Sequence, residues 1–189
     1  MAKLPSFATY DWQSHLSGRY TVRMMTEKAV TAIGAAIPLL LNFREVLFGN
    51  GIVVEVHAVN GRALCVQEPD GYWVYGVNPG GMAAVGDDAA SARREFRHTF
   101  SGVLREIATE ADSFDKFAGL VRAFFEDTNR GYEQAWRDAV GVVRQRDLEV
   151  PGLKKSPADA PLHVTVNVKA VSEIQPTDNE ADLRLDVAA

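Results

Sequence analysis

The chain has 189 residues, 47% of them apolar, which suffices for one sizeable core and is too little for two full-sized domains. A formal charge of −5 gives no general attraction to phosphate backbones. The densest basic clusters, Arg93-Arg94-Arg97 and Arg144-Arg146, are interleaved with Glu95, Asp138 and Asp147. Cys65 is the sole cysteine, so an internal disulfide and a multi-cysteine metal site are excluded, a reducing cytoplasm is the natural home, and the thiol reads as a small core residue.

Residues 1–22 carry Tyr10, Trp12 and Tyr20 without clear periodicity and read as an arm laid on the domain or a leader. The apolar run from Ala29 to Phe43 is shorter than the roughly 20 residues a spanning helix needs. It also begins behind Asp11, Arg19 and Arg23, unlike a cleavable signal, so no membrane role is expected. The run predicts a buried or partner-facing helix reaching Phe48, with Thr26 as N-cap, Pro38 as a kink and Gly49-Asn50-Gly51 as its stop.

After Gly51 the period changes to two. Ile52, Val54, Val56 and Ala58 form one apolar face of a strand, with Glu55 and His57 on the other. Asn60-Gly61 matches a two-residue hairpin turn, because its central positions need positive φ. Arg62 to Glu68 is then a second strand, and Asp70-Gly71 repeats the turn signal before a third, Tyr72 to Val77. On that third strand Trp73 and Tyr75 share one face while Tyr72 and Val74 share the other. One face must meet a helix. The other is either an aromatic surface for a partner or is covered by further helices, and covering is favoured.

A loop from Asn78 to Asp88, containing Pro79, Gly80 and Gly86, leads to a helix capped by Asp87 or Asp88. Ala92, Phe96, Phe100, Val103, Leu104, Ile107 and Ala111 make its apolar stripe. Ser113 caps a second helical run carrying Phe117, Leu120, Val121, Phe124 and Phe125, and Asn129-Arg130-Gly131 separates it from a third carrying Trp136, Ala139, Val140 and Val143. Beyond a Pro- and Lys-rich linker, alternation returns in Leu162, Val164, Val166 and Val168. A lone strand cannot satisfy its backbone groups, so this one is expected to join the sheet of residues 52–77. The tail from Ser172 is acidic apart from Leu183, Leu185 and Val187, and either frays or adds a short edge strand.

The expected fold class is α+β: an antiparallel sheet of three or four strands backed by one long amphipathic helix, with additional N-terminal and inserted helices. The expected layout is an N-terminal arm and apolar helix over 1–50, an α+β domain over 51–171 with a helical insertion at 113–147, and an acidic tail over 172–189.

The catalytic signals are thin. His15, His57, His98 and His163 are dispersed without metal-ligand spacing, although His57 and His163 both fall on strands. Glu55, Glu68 and Asp70 are the strand carboxylates a metal-dependent nuclease would need to gather, and Asp70 is accounted for by its turn. The glycine-bearing loop lacks a nucleotide-binding pattern, and its aspartates would repel an anion. No catalytic residue, metal or cofactor is expected, and the chain does not read as an enzyme.

The order of these parts resembles a known family. Asp70-Gly71-Tyr72, Pro79-Gly80, Gly86-Asp87, the alanines Ala89, Ala90 and Ala92, Val150-Pro151 and the strand around Val164 to Val168 are similar to the HicB antitoxins of bacterial toxin–antitoxin pairs. The resemblance covers residues 62–112 well and 148–171 loosely. It implies a partial ribonuclease H-like fold without nuclease activity, which binds and masks a small basic RNA-cleaving toxin of the HicA type. The family's C-terminal DNA-binding domain has no counterpart in the short tail, so direct DNA binding is not expected. The implied partner-binding residues are Tyr72, Trp73, Tyr75, Pro79, Gly80, Asp87 and Asp88, in a cytoplasmic homo-oligomer. The alternative is a stand-alone oligomeric scaffold or phage-related accessory protein that reuses the fold, with Ala29 to Phe48 as the oligomer contact.

Overall fold

The computed structural model describes residues 36–49, 52–169 and 182–189. The proposed arm over 1–22, the cap at Thr26 and the start of the expected helix lie outside these residues. Where the expected helix is described it is a strand: β1 spans Ile37–Gly49 and runs antiparallel to β2, Ile52–Glu68, with Gly49 opposite Ile52. The apolar run is continuous because β1 is buried on both sides. Leu39, Leu41, Phe43 and Leu47 join one core and Leu40 the other. An unbroken apolar run carries no period that separates a buried strand from a buried helix. Pro38 falls at the start of the strand, where a missing N–H costs least.

Asn60-Gly61 is not a hairpin turn, and β2 runs through it. Leu41 faces Gly61 while Phe43 faces Ala58, so Asn42 on β1 is opposed by Val59 and Asn60 on β2. This is a β-bulge, with Asn60 holding the extra residue's strain at φ 61°. Its backbone N–H donates to Asn42 Oδ1 at 3.1 Å. Gly61 lies so close to β1 that an added Cβ would stand 2.5 Å from Leu41 Cδ1. The bulge reverses the facing of the strand. Val54, Val56 and Ala58 point to the first core before it, and Ala63 and Cys65 do so after it, while Leu64 and Val66 point to the second.

The bulge also divides the outer edge of β2. Residues 53–59 pair with β6, His163–Lys169, and residues 62–68 pair with β3, Gly71–Asn78. The late strand thus lies antiparallel to β2, Val166 opposite Val56. The β2–β3 reversal falls one residue earlier than expected: Glu68 pairs with Gly71, leaving Pro69 and Asp70 as the turn, and Gly71 takes φ 137° beside it. Part of the expected loop is a further strand, β4, Ala83–Gly86, antiparallel to β3. Its alanines and glycine have poor strand propensity and hid it.

Three helices follow: α1 Ala89–Glu110, α2 Phe114–Glu126 and α3 Arg130–Arg146. The chain then adds β5, Lys155–Ser156, then β6, and finally β7, Asp182–Ala188. The tail is not an edge: β7 pairs antiparallel with β1 on one side and parallel with β5 on the other, burying Leu185, Val187 and Ala188. The described fold is therefore mixed α/β, with a seven-stranded sheet in the order β4-β3-β2-β1-β7-β5, and β6 on β2, rather than a sheet of three or four strands.

The helices cover both faces. α1 and α2 close the first core, where Phe100 stacks on Phe43 and Phe125 with centroids 4.7 and 5.5 Å apart and meets Phe96 edge-on. α3 closes the second against Leu64, Val66, Trp73, Tyr75 and Val77.

Candidate functional site

β3 carries the aromatic residues, and its alternation sends them to different cores. Tyr72 is half-buried against the first core. Trp73 and Tyr75 lie in the second, 8% and 0% exposed. The two rings stack 5.5 Å apart, and Tyr132 of α3 stacks on Tyr75 at 4.8 Å. Each polar tip is held as well: the Trp73 indole N–H donates to Asp70 Oδ1 at 3.1 Å and the Tyr75 hydroxyl to Glu68 Oε1 at 2.6 Å. The face weighed as a partner surface is thus roofed by a helix.

Pro79 and Gly80 are buried too. They follow a cis Asn78–Pro79 bond and lie against the junction between α2 and α3. The Gly80 N–H donates to Asp127 O at 2.9 Å, the Asn129 N–H to Val77 O at 3.0 Å, and Asn129 Nδ2 to Gly80 O at 3.2 Å. Asn129 caps α3 with the same side chain, accepting from the N–H groups of Gly131 and Tyr132. Asn78, 4% exposed, accepts from Arg62 Nε and donates to Thr128 Oγ1 and Asp127 O. Arg62 continues the network to Glu133 at 3.3 Å, its guanidinium 5.5 Å above the Trp136 ring. Burial there raises the Asp127 carboxyl above its ordinary range. These polar partners were not legible in the sequence, since their spacing follows no local pattern.

Asp87 and Asp88 are exposed. Asp88 is the cap: its side chain accepts from the Ser91 N–H at 2.6 Å, and Ser91 Oγ accepts from the Asp88 N–H at 3.1 Å, a reciprocal capping box. The hydrogen bonds from Ser91 hold the Asp88 carboxyl below the usual carboxylate range. Gly86, opposite Tyr72, has no room for a side chain because Ser91 and Ala92 sit against it. The seven candidates therefore do not share one surface: Trp73 and Tyr75 lie under α3, and the other five fall in two groups at opposite ends of β3. Tyr72, Asp87 and Asp88 gather beside β4, and Pro79 and Gly80 lie at the buried end.

His57 and His163 do converge. Thr165 lies opposite His57 and His163 opposite Val59, so both histidines stand exposed on one face of adjacent strands. Glu55 on that face is taken by Arg44, 2.6 Å from its Nε, and by Lys169 at 3.7 Å. Glu68 lies at the far end of β2. Among the described residues no group of three or more His, Cys, Asp and Glu is placed to hold a metal ion, and no described helix is long and apolar enough to cross a membrane. Burial raises the Cys65 thiol above its ordinary range, in keeping with its place in the core. Much of the described part of the expected oligomer contact is also core: Leu39, Leu40, Leu41 and Phe43 are at most 2% exposed, while Phe48 at its end is 56% exposed.

Comparison with family models, curated proteins and solved structures returns no match to this chain.

Proposed function

We propose that this chain is a non-catalytic protein-binding domain of the HicB antitoxin type, which masks a small basic RNA-cleaving toxin in the cytoplasm. The observation that carries the reading is the uninterrupted unit β2–β3–β4–α1. In it Asp70-Gly71 at the β2–β3 reversal, the Pro79-Gly80 loop and the Gly86-to-Asp88 cap occur in the order the resemblance gives, and each has a defined structural job. The docking strip is the β4 end of the sheet. β4 stands last in the strand order, Val85 is 39% exposed on it, and Asp87 and Asp88 follow directly. An open strand edge accepts an extended segment. The adjacent carboxylates favour a basic partner over an acidic one and speed its approach.

The test is to co-express the chain with any small basic protein encoded beside it, followed by copurification and an RNA-cleavage assay. The expected result is a stable complex in which cleavage is suppressed, and a weakening of binding by about tenfold or more when Asp87→Lys is combined with Val85→Glu, the scale of losing one good contact. Absence of a complex, or a complex indifferent to both substitutions while the fold is retained, overturns the reading.

A further inference from the structure

Glu45 stands on the side of β1 that faces α1, between Phe43 and Leu47, in a row otherwise made of core residues. It is 4% exposed. Arg105 of α1 reaches Glu45 Oε1 from Nη2 at 3.4 Å, and Oε2, equally buried, has no hydrogen-bond partner. Arg105 is itself 69% exposed, so its charge is largely given to water. The groups facing this carboxyl can be named element by element. From α1 come Arg97, Arg105 and the Ser101 hydroxyl. On the same face β2 presents Val54, Val56 and Ala58, and β7 presents Leu183, which pairs with Phe43.

We propose that Glu45 is a proton-dependent latch between the sheet and α1. In its acid form the carboxyl is neutral and seats the helix over β1. In its ionised form one charged oxygen is enclosed without a donor, and the contact between β1 and the second half of α1 loosens. A buried carboxylate with one oxygen left unpartnered is costly, whereas the neutral acid is less so. Desolvation raises the Glu45 carboxyl above its ordinary range, against the smaller opposing effects of Ser101, Arg105 and Arg97. The sign follows from that direction. The folded state holds this proton more tightly than the unfolded one, so the latch is fully closed below the ordinary carboxylate value and weakens as pH climbs through the raised value.

Hydrogen exchange of the α1 amides in the full chain tests this, with rates corrected for the intrinsic pH dependence. Protection over residues 101–110 should fall with rising pH by at most about tenfold per unit, the limit for one linked proton, and then level off. In E45Q, which keeps the shape and removes the titration, that fall should vanish while the fold persists. R105M removes the cation that contacts Glu45 and lifts its folded-state value further, so the fall should extend to higher pH. A pH profile in E45Q identical to the parent, or a Glu45 carboxyl whose carbon-13 titration lies in the ordinary range, overturns the proposal.

Discussion

At the scale of single residues, the close contacts are made where a side chain is missing. Gly80 is seated directly on the backbone of Thr128 and Asn129, and a Cβ there would collide with the Asn129 nitrogen. Both partners are main chain, so neither can swing aside. Gly80→Ala should therefore cost about 1–3 kcal/mol, the range for overpacking a fitted contact. Urea unfolding should show this as a lower midpoint at an unchanged slope, whereas Gly119→Ala, on an open helix surface with nothing near its added Cβ, should not lower it. The sequence marked Gly80 as a loop glycine, but not the reason. Its neighbours lie some 49 positions further along the chain, a separation no local pattern encodes.

At the scale of elements, the caps and stripes were legible because they are local. Asp88 and Ser113 each sit one residue before the helix they cap, Asn129, read as a breaker, caps α3, and the buried residues of α1 and α2 follow the three- and four-residue steps of the sequence. The strands were harder where burial is two-sided. β1 shows no alternation because both of its faces are core, and β7 reads as a tail because its charged residues Arg184 and Asp186 alternate with its apolar ones in a short segment. The face covered by α3 supplies a test of how that helix is held. Trp136 is 4% exposed, and its indole N–H donates to Leu39 O on β1 at 3.2 Å. Trp136→Phe keeps most of the apolar contact and leaves that carbonyl without its donor. A loss of about 1–3 kcal/mol is expected by thermal or denaturant unfolding, with Trp136→Ala costing more, about 3–5 kcal/mol.

At the scale of the molecule, β1 and β2 form the spine. β2 bonds to β1, β3 and β6, and β1 to β2 and β7, so few strands are held independently of this pair. β7 closes the far side: the Val187 N–H donates to Lys154 O at 2.8 Å and the Ala189 N–H to Ser156 O at 3.0 Å, tying β5 to β1 through it. Removing residues 182–189 would expose Leu39, Leu41 and Phe43 along one edge of β1. The truncated chain should lose its cooperative unfolding transition in circular dichroism, and retention of a transition close to the full-length midpoint would show that β7 is dispensable. The two-period pattern near Val166 located β6 correctly in the sheet. It could not reveal which stretch of β2 receives it, because that depends on the bulge.

The extra residue at Asn60 makes β2 a strand of two opposite phases, and this sets an asymmetry in what the gene can tolerate. Excising one codon there would only heal the bulge, with Ala63 and Cys65 still on the phenylalanine layer and Leu64 and Val66 still toward α3. Excising one elsewhere in β2 would turn every residue on one side of the gap to the wrong face. Point changes along β2 threaten one contact each. A missing triplet away from the bulge would exchange two interiors at once.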